Sequence, residues 1–118
     1  MAVRLAQVLL FQNDGTKLKR FCEVVSGRIE IDTGTLLSYF MGSATVAHHP
    51  PEGMFGEGDV AVTIEVDTPE EVDRLYASLI RAGLEVSEPP ENTDWGWRNF
   101  YFRVAERVVF EVGAPLSR

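Results

Sequence analysis

The same order of elements is written twice along this chain of 118 residues, and that repetition restricts its fold more than any single motif. Residues 4 to 12, Arg-Leu-Ala-Gln-Val-Leu-Leu-Phe-Gln, are almost wholly apolar and are bounded by Asn13-Asp14-Gly15, which reads as a strand buried on both faces. Leu18, Phe21, Cys22 and Val25 then recur at helical spacing, with Asp14 or Thr16 placed to cap the helix and Gly27 to stop it. Arg28 to Asp32, Thr35 to Met41 and Ala44 to His49 follow as three short strands, with turns at Thr33-Gly34 and Gly42-Ser43. The breaker-rich stretch from Pro50 to Gly58 has no periodicity and reads as a connector.

The second run begins with Asp59 to Val66, where Val60, Val62, Ile64 and Val66 alternate with Ala61, Thr63 and Glu65. Thr68-Pro69-Glu70-Glu71 is a capping box with proline in the first turn, and Val72, Leu75, Leu79 and Ala82 carry a helix to Gly83. Leu84 to Ser87 is expected to be a short strand, residues 88 to 94 a loop, and Arg98 to Arg103 with Val108 to Val112 a closing hairpin. Each run is therefore β-α-β-β-β. Each offers a sheet with its helix on one face, and the other face needs a partner or a ligand. The expected fold class is α+β, a single domain of two βαβββ modules forming a curved mixed sheet around a cavity. Module one is 1-49, the linker 50-58 and module two 59-118.

Charge narrows the partners. A formal net charge of -7 argues against a nucleic-acid backbone, which is held by clustered Lys and Arg, and suits a neutral or cationic small molecule. No apolar run approaches the roughly 20 residues that span a bilayer, and the first residues lack the layout of a secretory signal. The expectation is a cytoplasmic protein. The lone Cys22 excludes an intramolecular disulfide and, at its helical spacing, reads as a core thiol.

The residues that invite chemistry are few. Glu111 stands among valines and phenylalanine in Val108-Val-Phe-Glu-Val112, where a carboxylate needs a partner, a ligand or solvent. Trp95, Trp97 and Phe55 are assigned to loops, placed to wall a cavity or to pack across a subunit boundary. Strand parity puts Gln7 with Leu5, Leu9 and Phe11, and Ala61 with Thr63 and Glu65, so the cavity should be mostly apolar with scattered polar groups. Tyr101 has a hydroxyl able to donate to a bound oxygen atom, and Arg98 is expected to pair with Glu106 or Asp94. His48 and His49 point to opposite faces of one strand, so at most one faces the cavity.

With its paired βαβββ pattern, its Trp95-Gly96-Trp97-Arg98 entry to an aromatic strand and its Val109-Phe110-Glu111 ending, the chain resembles the glyoxalase, bleomycin-resistance and extradiol-dioxygenase superfamily, the vicinal oxygen chelate proteins. The resemblance covers essentially the whole chain. It implies metal ligands at the positions of Gln7 and Glu111, but it aligns Ala61 with a histidine and Thr45 and Ala47 with the fourth-strand ligand, leaving His48 one place out of phase. It also places Tyr101 where fosfomycin-modifying relatives hold a tyrosine against substrate. Family hairpins carry Asp-Pro-Asp-Gly-Asn where this chain has Val104-Ala-Glu-Arg-Val108.

Three functions follow as expectations. One is sequestration of a small, cationic aromatic ligand by a homodimer of the bleomycin-resistance kind, without cofactor or catalysis, through Trp95, Trp97, Tyr101, Phe11, Thr63 and Glu111. The alternative is a lyase, thiol transferase or dioxygenase with a divalent metal on Gln7, Glu111 and, by a register slip, His48; such metals need at least three converging ligands. The third is a module whose sheet is filled by another protein.

Overall fold

The computed structural model describes residues 2–117. Ten elements follow in order: β1 Arg4–Phe11, α1 Thr16–Val25, β2 Ile29–Asp32, β3 Leu37–Met41, β4 Ala44–His49, β5 Val60–Glu65, α2 Pro69–Arg81, β6 Glu91–Asn92, β7 Trp97–Ala105 and β8 Val108–Pro115. The strands hydrogen-bond in the order β2-β3-β4-β1-β5-β8-β7-β6, a mixed sheet in an α+β fold. Two compact units divide the chain: Ala6–Val62, and the residues up to Leu5 together with Thr63 onward.

In the unit Ala6–Val62, β1 runs parallel to β4 with Gln7 opposite Thr45 and Phe11 opposite His49. A parallel pair needs a crossover, and α1 supplies it. Of the stripe expected to face the core, Leu18 and Cys22 turn inward, with Cys22 fully buried and its thiol pKa pushed up by burial, whereas Phe21 and Val25 are exposed. Neither expected cap acts on α1. Gly15 occupies the cap position, and Asp14 Oδ1 instead accepts the Thr16 amide at 3.0 Å and its hydroxyl at 2.6 Å, closing a turn just ahead of the helix. Gly27 does end it, at φ +67 with its amide on the Cys22 carbonyl. Phe55 of the connector stacks on Phe11 at 4.3 Å, so this loop aromatic is a packing residue.

In the other unit, a core between α2 and the sheet is formed by Val66, Val72, Phe100, Val112 and Ala114, with Leu75, Tyr76 and Leu79 packed against them. The N-cap half of the capping box forms: the Thr68 hydroxyl accepts the Glu71 amide at 3.3 Å, and it is this hydroxyl that donates to the Glu71 carboxylate, at 3.1 Å. Arg4 reaches Glu65 at 2.6 Å and Asp67 at 2.9 Å. The expected strand at Leu84 to Ser87 is absent. Pairing occurs later, at Glu91 and Asn92 against Asn99 and Arg98, where the edge of β7 offers partners. β8 also runs three residues past its expected end, because Gly113, Ala114 and Pro115 are paired by Asn99, Arg98 and Trp97. Trp97 is consequently a strand residue and not a loop residue. Among the described residues, no helix is long and apolar enough to cross a membrane.

Candidate ligand-binding face

Alternation along the β7–β8 hairpin separates two faces. Phe100, Val112 and Ala114 go to the α2 core, so Trp97, Asn99 and Tyr101 lie on the opposite face of β7 together with Val109, Glu111 and Gly113 of β8. On that face a polar cluster is built around one carboxylate. Glu111 Oε1 accepts the Thr63 hydroxyl at 2.9 Å, and Oε2 accepts the Asn99 side-chain amide at 2.7 Å. Thr63 and Asn99 are themselves buried, at 8% and 5% exposure, whereas Glu111 is half-buried.

Two donors hold the carboxylate in one orientation, and each oxygen keeps lone-pair capacity for a further donor. The Asn99 amide also lies 3.5 Å from the hydroxyl of Tyr101, which is the cross-strand partner of Glu111. Burial raises the Tyr101 pKa and the Glu111 charge raises it further, against a smaller opposing effect of the Asn99 hydrogen bond. Tyr101 is therefore a neutral phenol at physiological pH.

Trp97 completes the face. A Cβ on Gly113 would come within 2.7 Å of Trp97 Cε3, so the indole lies directly over the bare glycine backbone. Thr93 pins the start of the strand: its hydroxyl accepts the Trp97 amide at 3.0 Å and donates to the Trp97 carbonyl at 3.1 Å. Trp95 sits in the preceding turn and is 62% exposed. Arg98 pairs with neither Glu106 nor Asp94. Its guanidinium reaches Asp73 of α2 at 2.9 Å and Asn92 at 3.0 Å, because strand alternation turns it to the helix side of the hairpin.

The remaining sequence-derived candidates lie in the unit Ala6–Val62. Gln7 donates its side-chain amide to the Thr45 hydroxyl at 3.0 Å, and that hydroxyl is 3.4 Å from the Ala6 carbonyl. Phe11 is buried between Phe55 and the edge of the His49 ring, 6.0 Å away. His48 is in register with Leu10 and so points away from the Gln7–Thr45 face; its ring lies under Gly15 at the start of α1. The register holds with no slip. His49 is the histidine on the Gln7–Thr45 side, with Nδ1 at 2.6 Å from the Pro50 carbonyl.

A metal fits these donors poorly. No group of three or more His, Cys, Asp or Glu side chains gathers among the described residues, and the groups bonded to Glu111 are a hydroxyl and a carboxamide, which orient a carboxylate but are weak ligands. Asn99 is the member of the cluster that sequence reasoning missed. Its signal was two-residue spacing from Tyr101 on a strand that pairs with the strand of Glu111.

No protein-family model matches the chain, and no curated protein matches it. Solved structures do. The fold is similar to that of a protein described as an NAD-dependent benzaldehyde dehydrogenase from Legionella pneumophila, at TM-score 0.71 and 15% identity over 92% of this chain and 97% of that one. It is similar to a glyoxalase/bleomycin resistance protein/dioxygenase superfamily member from Vibrio splendidus, at TM-score 0.59 and 13% identity over 97% and 99%. A Mn(II)-bound glyoxalase from Novosphingobium aromaticivorans matches at TM-score 0.64 and 19% identity, over 98% of this chain but 39% of that one. The paired βαβββ architecture is thus the one found in glyoxalase/bleomycin resistance/dioxygenase proteins, with structural matches across the whole chain.

Proposed function

We propose that this protein binds a small organic ligand on the face formed by Trp97, Tyr101, Thr63, Asn99 and Glu111, and that it sequesters a cationic aromatic compound without transforming it. The observation that carries this reading is the doubly bonded, half-buried Glu111 carboxylate beside an indole and a phenol. A fixed anion of this kind receives an ammonium or amidinium hydrogen atom without reorganising. The rings add stacking and cation–π attraction, each worth about 0.5–2 kcal/mol. The net charge of -7 draws cations toward the molecule.

The fold shared with a Mn(II)-bound glyoxalase keeps a metal-dependent lyase, transferase or dioxygenase as the competing function. The donor set around Glu111 gives that function no support, because a hydroxyl and a carboxamide do not supply the imidazole, thiolate or second carboxylate that such a metal requires.

Tryptophan fluorescence titrated with a series of cationic aromatic compounds tests the reading. Saturable quenching at micromolar concentrations, unchanged after treatment with a chelator, is the expected result. Absence of saturable quenching across the series, together with stoichiometric uptake of Mn(II), Zn(II) or Ni(II), overturns it.

A further inference from the structure

Among the described residues Glu111 has no cation of its own. Arg4 pairs with Glu65 and Asp67, and Arg98 with Asp73, whereas Glu111 is held only by the Thr63 hydroxyl and the Asn99 carboxamide, both neutral. Removing a charge from bulk water costs free energy that neutral donors offset only in part, so a half-buried carboxylate without a counterion is a place to receive one. Thr63 and Asn99 are buried, which leaves the carboxylate as the member of this trio that reaches solvent.

The sheet order fixes how that carboxylate is presented. β8 lies between β5 and β7, so Thr63 approaches from one neighbouring strand and Asn99 from the other. Each takes a different oxygen, Oε1 at 2.9 Å and Oε2 at 2.7 Å. A carboxylate oxygen has two in-plane lone pairs, one on its outer side and one parallel to its counterpart on the second oxygen. Donors arriving from opposite flanks engage the outer pair and leave the two parallel lone pairs together, directed off the sheet. That remaining edge matches a planar cation with two parallel N–H groups, the fork by which a guanidinium or amidinium grips a carboxylate.

Other cations match it less well. A tetrahedral ammonium is a strongly hydrated point charge that cannot direct two parallel N–H groups at both oxygens. A quaternary ammonium has no N–H and depends on several ring faces gathered around it. Here one side of the Trp97 indole already lies against the Gly113 backbone, and Tyr101 is the other ring of the cluster. A flat delocalised cation needs only a ring beside it on which to stack.

Resting on the assignment of ligand binding to this face, we infer that the compound it takes is an aromatic amidine or guanidine, held by a two-pronged hydrogen bond to Oε1 and Oε2 of Glu111. Thr63 and Asn99 act as positioning residues, because they turn the parallel edge of the carboxylate outward.

Calorimetric titration of the intact protein with benzamidine, benzylamine and benzyltrimethylammonium provides the test. All three are cationic at neutral pH and carry one phenyl ring, so the comparison reads the head group. Benzamidine should bind about tenfold tighter than benzylamine, the gain from a second charge-assisted hydrogen bond, with benzyltrimethylammonium weakest. In Glu111→Gln, checked for native circular dichroism, the three affinities should converge. Benzylamine or benzyltrimethylammonium binding wild type as tightly as benzamidine overturns the fork while leaving a cation site at this face. A benzamidine preference that survives Glu111→Gln also overturns it, because the fork then lies elsewhere. Failure of all three to bind overturns the ligand-binding reading itself and the fork with it.

Discussion

Asn99 and Glu111 are diagonal neighbours on adjacent strands, and the side-chain nitrogen of Asn99 lies 2.7 Å from Glu111 Oε2. Both positions follow from one register, in which Tyr101 faces Glu111 and Asn99 faces Gly113. A hydrogen bond to an ionised acceptor in a buried setting is worth about 1.5–3 kcal/mol. Asn99→Ala should therefore lower stability by roughly 2 kcal/mol, read as a lower urea midpoint at unchanged slope. Glu111→Gln keeps an acceptor for Asn99 and should cost about half as much or less. Equal loss in the two variants would show that the hydrogen bond is not what stabilises the cluster.

Gly113 admits no side chain. A methyl group there would meet Trp97 Cε3 at 2.7 Å and the Arg98 carbonyl at 3.2 Å, and the second contact is with backbone. Gly113→Ala should cost about 1–3 kcal/mol by overpacking and should shift tryptophan emission, because the indole must move. Wild-type stability and spectrum in that variant would place Trp97 elsewhere.

Helix α2 rests on a local device. Thr68→Ala removes the hydroxyl that accepts the Glu71 amide and should destabilise by about 1 kcal/mol, whereas Thr68→Ser should stay within a few tenths. Thermal unfolding of the two variants side by side checks this; equal melting temperatures would mean the cap is dispensable.

That cap was legible because it is written within four consecutive residues. So was the strand Ala44–His49, set by local pattern, whereas the α1 stripe was legible only in part, since Cys22 is buried but Phe21 and Val25 of the same spacing are exposed. What the sequence hid was pairing. The two-residue strand β6 has no alternation to reveal it, and Gly113-Ala114-Pro115 have poor strand propensity yet are held by residues 97–99 across the hairpin. The same non-local register turned Trp97 from a loop residue into a strand residue and brought Asn99 to Glu111. Glu111, Thr63 and Tyr101 were readable as individual candidates, but their grouping around Asn99 depends on strand pairing that no local window contains.

Tyr101 should titrate above the usual tyrosine range, first because it is buried and second because Glu111 is near. The neutral phenol is the form the fold stabilises, so this contribution is fully present below the unfolded value of about 10 and is lost as pH rises through the folded value. Site-resolved NMR of the labelled tyrosine ring checks it. In Glu111→Gln the titration should move down toward about 10 without reaching it, since burial persists. A wild-type Tyr101 titrating at or below the value of a free tyrosine would contradict this electrostatic picture.

Ligand capture by this face depends most on the Glu111 carboxylate acting as the anchor. Calorimetric titration of wild type and Glu111→Gln with a cationic aromatic compound and its neutral isostere measures that directly. Wild type should prefer the cation by about 10- to 100-fold, the equivalent of one charge-assisted hydrogen bond, and the variant should bind both compounds with similar, weaker affinity. Equal affinity of wild type for the two compounds, or a cation preference that survives Glu111→Gln, would contradict it.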